Sequence, residues 1–163
     1  MLDIFAKGLA KLFGSKSNRD IKEVMPLVLA INQYFESYQS LSNDQLRSKT
    51  QEFKEKINTY ISEINNKIAE LKTVAEKEDT DLEEKDKLFK EIDELSKEKD
   101  KAIEEILLEI LPEAFAVVKE TARRFKENEV ITATANQLDR DLSVSKTYLK
   151  VEGDQVHYNT TCL

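Results

Sequence analysis

Cysteine and histidine are nearly missing from this chain. One cysteine, Cys162, leaves no partner for an internal disulfide and no set of thiolates for a zinc site. One histidine, His157, excludes two-histidine metal motifs such as H-E-x-x-H and the paired E-x-x-H of di-iron bundles. Glycine is scarce as well. Gly8, Gly14 and Gly153 are too scattered for a phosphate loop or a G-x-G-x-x-G turn. Pro26 and Pro112 are the only prolines, and tryptophan is absent. So few turn formers argue against an all-β sandwich or barrel, which needs a turn about every 8–12 residues.

What is present is charge. Asp, Glu, Lys and Arg make up 35% of the 163 residues, and high Glu and Lys with few breakers favours long helices. The length suits one domain, or a smaller one with an appendage. The formal net charge of −7 argues against general nucleic-acid binding, which needs clustered cations facing phosphates.

That charge is unevenly spread. Residues 1–19 carry Lys7, Lys11, Lys16 and Arg19 against Asp3, a net of +3. At about 100° per residue, Leu2, Phe5, Leu9, Leu12 and Phe13 share one arc of a helix, with Lys7 and Lys11 opposite. No apolar run here reaches the core of a signal peptide or the roughly 20 residues of a membrane span. Two readings follow from the residues: an amphipathic helix packed on its own domain, or one lying on an anionic membrane, where basic groups and an apolar stripe both contribute.

Residues 20–57 read as helical, with Asp20 as a cap, Pro26 early, and Ser42 with Gln45 forming a capping box. Apolar residues then recur in steps of three and four at Leu46, Phe53, Ile57, Ile61, Ile64, Ile68, Leu71 and Ala75. After a charged break at Glu76–Asp79, Thr80 with Glu83 offers another box. A second arm shows Leu82, Phe89, Ile92, Leu95, Ala102, Ile103, Ile106 and Ile110, with Lys85 and Lys99 at seam-like positions. The pattern predicts a coiled-coil-like antiparallel hairpin over 58–108. Twenty-one of residues 76–105 are charged, as befits a solvated surface around a narrow seam rather than a row of catalytic carboxylates. Pro112 fits the first position of a further helix, 109–126, with Glu113 at its positive end and a stripe of Phe115, Val118, Ala122 and Phe125.

Over 127–163 the signals shorten. Val130–Thr134 suits a strand, Thr134 with Gln137 a brief helix to about Ser143, and the runs flanking Glu152-Gly153-Asp154 a β-hairpin. The fold class expected is therefore mainly α: a long helical hairpin, shorter helices and a small C-terminal β-hairpin. His157 reads as a surface strand residue. No catalytic, cofactor or metal constellation is expected.

Three stretches together resemble the extreme N-terminus of the bacterial preprotein translocase motor ATPase family, SecA. They are the amphipathic opening running into LFGSKSNRD (Leu12–Asp20), LSNDQLRSKTQEFKEKI (Leu41–Ile57) and ILPEAFAVVKETARRF (Ile110–Phe125). The resemblance implies that the hairpin of 58–108 is an insertion extending existing helices, and that 127–163 precedes the nucleotide-binding motifs. It implies a parent that binds ATP and Mg²⁺ and drives preproteins through the SecYEG channel, cytoplasmic and peripheral on the inner face of the cell membrane. On it, Leu2, Phe5, Leu9, Leu12 and Phe13 with Lys7, Lys11, Lys16 and Arg19 contact lipid and channel. Pro112, Glu113, Phe115, Val118, Ala122 and Phe125 dock on the motor. No phosphate loop is present, so no ATP hydrolysis is expected of these residues alone. A second reading, from the periodicity alone, is a membrane-tethered helical-hairpin adaptor for protein partners, with self-association through the hairpin.

The membrane reading is checked by co-sedimentation with anionic liposomes. Recovery should fall when residues 1–19 are removed, and equal recovery with and without them would sink it.

Overall fold

The computed structural model describes residues 16–77 and 79–162. Expectations on residues 1–15 lie outside it. Four helices form the main body: α1 (Lys16–Tyr38), α2 (Asn43–Tyr60), α3 (Ser62–Ala75) and α4 (Leu82–Glu127). A short helix α5 (Gln137–Ser143) and strands β1 (Val130–Thr134), β2 (Leu149–Glu152) and β3 (Gln155–Asn159) follow. The expected mainly helical hairpin with a small β unit is therefore what forms.

The hairpin is longer than its sequence signals suggest. α4 has 46 residues, about 69 Å at 1.5 Å per residue. It runs straight through Pro112, so that residue is interior rather than the start of a separate docking helix. The missing amide leaves the Leu108 carbonyl without its helical partner. Leu108 is 69% exposed, so water can take that place. Pro26 likewise lies inside α1, and so does Asp20, since residues from Lys16 on are already helical. Lys22, whose carbonyl loses its partner to Pro26, is exposed.

α2 and α3 form the opposing arm, with Ile61 at their junction and its amide still bonded to Ile57 O. Ser42 and Gln45 make the expected reciprocal capping box. The box expected at Thr80 and Glu83 does not form. Thr80 Oγ1 donates instead to Val74 O at 2.8 Å, closing the end of α3, and α4 opens after Asp81 with no side-chain cap.

Ile61, Ile68 and Ala75 of one arm and Ile92, Ile106 and Ile110 of the other are buried. Two expected seam residues are not: Leu82 is 81% and Phe89 51% exposed. Stepping back from Ile92 by four and three residues lands on Leu88 and Lys85, both half-buried, so Phe89 and Leu82 fall one position off the seam. Lys85 and Lys99 do occupy seam positions, where their stems cover apolar surface.

α1 packs antiparallel on the C-terminal half of α4. Tyr38, Leu46 and Ala116 are buried together, with Ile31, Phe35, Leu41 and Val117 around them. Ala116 has no exposed surface, which lets α1 and α2 approach α4 closely at that point.

The strands form one antiparallel sheet in the order β1-β3-β2. β2 and β3 are the expected hairpin, with Gly153 at φ 60° in its turn, where a Cβ would be strained. β1 adds the third strand, pairing Thr132 with His157 and Ala133 with Val156. A hairpin alone is marginal in water. Here Ala133, Leu149 and Val156 make a core closed by Leu142 of α5 and by Tyr148 and Tyr158. The α5 cap is Asn136 boxed with Asp139, two residues later than the expected Thr134 and Gln137, because Thr134 still belongs to β1.

Substituting Ala116→Leu forces side chain into a filled space and should destabilise by about 1–3 kcal/mol. Val118→Ala, on the open side of the same helix, should stay within about 0.5 kcal/mol. Urea denaturation of both chains checks the contrast.

Candidate functional site

α4 has two apolar faces over residues 106–125. One carries the buried Ile106, Ile110 and Ala116 and turns toward α1, α2 and α3. The other carries Leu108 (69% exposed), Phe115 (53%) and Val118 (67%), with Ala122 exposed beside them. At about 100° per residue these four fall within an arc of about 80° on the side away from the core. Isolated exposed apolar residues mean little, but a continuous stripe of this kind marks an interaction surface.

Three of the six expected docking residues, Phe115, Val118 and Ala122, lie on that face. Pro112 is half-buried within the helix. Glu113 turns inward: it accepts the hydroxyl of Tyr38 and faces Lys49 at 3.6 Å. Burial of Tyr38, and then its bond to Glu113, raises that phenol above its ordinary range. Phe125 is half-buried and lines an internal cleft. Of the expected membrane-contact residues, Leu2, Phe5, Leu9, Leu12, Phe13, Lys7 and Lys11 lie outside the described residues. Lys16 lies in α1, and Arg19 is exposed on it.

Beneath the open face sits a charged hub. Glu120 has no exposed surface. It accepts two bonds from Arg123, both at 2.8 Å, and one from Arg124 Nε at 2.7 Å. Bonds from Arg123, and behind an opposing burial penalty those from Arg124, hold its carboxyl below the usual carboxylate range. Arg124 then reaches across to the α1–α2 turn. It donates to Tyr38 O at 3.1 Å, Leu41 O at 2.7 Å and Asn43 Oδ1 at 2.7 Å. The carbonyls of the α1–α2 turn are thereby bonded by a side chain of another helix.

A second network ties the sheet to α2. Asp139, 1% exposed, accepts from Arg47 Nη2 at 2.8 Å, from the Asn136 amide at 2.9 Å and from the Tyr158 hydroxyl. Burial alone would raise this carboxyl, but the three donors outweigh it and lower it from 3.8 to about 2. Tyr158 is pushed up to about 12, by burial and by its bond to Asp139. Asp44 binds the Thr134 amide at 2.7 Å and its hydroxyl at 2.9 Å, and Asn43 Nδ2 donates to Thr132 O at 2.8 Å. Between the two networks lies an apolar cleft of about 350 Å³, lined by Leu46, Val117, Phe125, Ile131 and Tyr158 among others.

Sequence reading missed both networks. The bonds in them that reach across to α1 and α2 join residues 81 to 92 apart, and only the adjacent Arg123-Arg124 hinted at one of them. His157 is half-buried and meets Thr132 Oγ1 at 3.0 Å across the β1–β3 pair rather than standing free at the surface. No group of three His, Cys, Asp or Glu able to hold a metal occurs among the described residues.

The SecA DEAD-like domain model matches residues 9–139. Relatives named protein translocase subunit SecA include that of Amoebophilus asiaticus, 40% identical over 156 residues and 95% of this chain. That of Parabacteroides distasonis is 42% identical over 94% of the chain, and that of Chloroherpeton thalassium 48% over 78%. The chain spans about 14% of the length of the first two relatives and 12% of the third. No solved structure matches.

The Asp139 cluster predicts a sign. Its carboxyl is depressed in the folded state, so the stabilisation is complete above the ordinary value of 3.8 and is lost as pH falls toward about 2. Asp139→Asn should be less stable at pH 7 by about 2 kcal/mol and should lose less between pH 4 and 2 than the parent chain. Urea midpoints across that range check it. With its matched model covering most of its length, this chain belongs to the SecA DEAD-like domain family.

Proposed function

We propose that these residues form the front end of a SecA-like translocase motor, cytoplasmic and peripheral on the membrane, that moves preproteins through a SecYEG channel at the expense of ATP. The carrying observation is the open apolar face of α4 at Leu108, Phe115, Val118 and Ala122, within the stretch that the family model matches. A face that apolar, on a helix already anchored by its other side, suits docking against the rest of the motor in cis. ATP and Mg²⁺ are then held by motifs outside these residues, and this segment supplies attachment rather than chemistry.

The basic segment 1–19 supplies the membrane and channel contact. Its cations meet lipid phosphates, and Leu2, Phe5, Leu9, Leu12 and Phe13 enter the headgroup boundary. No helix among the described residues is long and apolar enough to cross a membrane, in keeping with attachment from one side. The hairpin of 58–108 is an insertion that lengthens α2 and α4 outward from this docking unit.

A graft tests the reading. Residues 1–163 replace the matching segment of the Parabacteroides distasonis relative, and preprotein transport into inverted membrane vesicles is measured. Transport is expected, and Phe115→Asp with Val118→Asp should lower it by roughly tenfold or more, as loss of central apolar anchors does, without lowering the melting temperature of the 163-residue chain. A graft that folds and binds ATP but transports nothing, or one indifferent to both substitutions, would overturn it.

A further inference from the structure

The tip of the hairpin puts apolar side chains outside and a lysine inside. Leu82 and Phe89 are 81% and 51% exposed, while the half-buried Lys85 takes the seam position between them. Folding alone would favour the reverse, since apolar side chains gain most from leaving water. At about 100° per residue, Leu82, Asp86, Phe89 and Asp93 share an arc of about 60° on α4, and all four are exposed. They form a ridge, alternately apolar and acidic, that rises about 16 Å along the helix. Leu82, Asp86 and Phe89 also line one shallow depression.

The surroundings of the ridge are strongly negative. Residues 76–93 hold nine carboxylates against four lysines, a net of −5. Lys87 is engaged by Glu83 and Lys90 by Asp86. Asp81, Glu84, Glu91 and Asp93 form no ion pair among the described residues. The Asp86–Lys90 pair is exposed on both sides, so Asp86 can change partner at little cost.

That sign selects what the ridge can receive. It repels nucleic acid, anionic lipid and the tip of a second copy alike. We propose that the ridge of residues 82–93 is a docking surface for a cationic amphipathic helix of another protein, with apolar residues at three- and four-residue spacing and Lys or Arg beside them. The apolar residues of that helix meet Leu82 and Phe89, and its cations meet Asp86 and Asp93. It lies as a third helix beside the α3–α4 pair. Apolar contact supplies attraction, and charge supplies specificity and rate of encounter. Leu82 lies 26 residues before Leu108 on α4, about 39 Å away, so this surface is separate from the open face at the base and does not depend on how that face is used.

Fluorescence anisotropy with the full chain tests it. The probe is a labelled peptide of leucine and lysine alone, LKKLLKLLKKLLKL, which has the stated chemistry. Saturable binding is expected at low salt, weakening roughly tenfold in 0.5 M salt as exposed charges are screened. Leu82→Ser with Phe89→Ser should weaken it roughly tenfold or more, as loss of apolar anchors does, at an unchanged melting temperature because both residues are exposed. Asp86→Lys with Asp93→Lys should weaken it likewise. Phe115→Ser with Val118→Ser should leave it unchanged, and a peptide with glutamate for every lysine should not bind. No binding of the lysine peptide would overturn the inference. So would binding indifferent to Leu82 and Phe89, which is diffuse charge attraction, or binding lost with Phe115 and Val118, which puts the peptide on the open face at the base.

Discussion

Everything in the base of this molecule hangs on Arg124. Its guanidinium joins the buried Glu120 of its own helix to the Tyr38 and Leu41 carbonyls at the α1–α2 turn and to the first side chain of α2. Three helices are thereby fixed at one point with donors and acceptors satisfied; no buried side-chain N or O among the described residues lacks a partner. Such a pair adds modest net stability, because desolvating two charges offsets most of their attraction. Its worth is in specificity. Removing Arg124 takes one of three donors from a buried carboxylate that Arg123 still holds, and takes the donor from the Leu41 carbonyl and Asn43, a cost of about 1–3 kcal/mol for each group left unsatisfied, so alternative packings of α1 against α4 are penalised.

That fixed crossing explains how one helix can serve two purposes. With α1 and α2 held on one side of α4, the stripe at Leu108, Phe115, Val118 and Ala122 is left open on the other. A loose bundle would collapse onto this stripe, since burying apolar surface is favourable at about 25 cal/mol per Å². The second network works alike. Arg47, Asp139 and Tyr158 tether the sheet to α2, so the sheet stays beside α2 rather than folding over the open face.

Local features were legible in the sequence because their causes are local. The Ser42–Gln45 box, the β-branched run at Val130–Thr134 and the Gly153 turn each rest on residues within a few positions of one another. Helix limits were less legible. Pro112 looks like a start because proline suits a first turn, yet Leu108, whose carbonyl loses its partner, sits on the exposed side of α4, which makes an interior proline tolerable. The seam at the tip was misjudged by one position at Leu82 and Phe89. Apolar identity pulled the assignment onto them, whereas helical geometry placed Lys85 and Leu88 inward. The long-range networks were not legible, since nothing in a single sequence pairs Arg47 with Asp139. Of the expected docking set, Phe115, Val118 and Ala122 lie on the open face, whereas Glu113 lies on the buried side of the same helix against Tyr38.

Charge follows the same division of labour. Residues 76–105 carry a net of −7, equal to the charge of the whole chain, so the rest sums to zero. Without the +3 of residues 1–19 that rest carries −3, far sparser than the charge of the hairpin, which suits a unit built from buried pairs and apolar contact, where excess charge would add only repulsion. In the hairpin the seam is narrow and most side chains face water, so the excess costs little at physiological ionic strength, where charges beyond about 8 Å are screened. Its concentration beside the exposed Leu82 and Phe89 gives the tip a negative sign as well as an apolar surface.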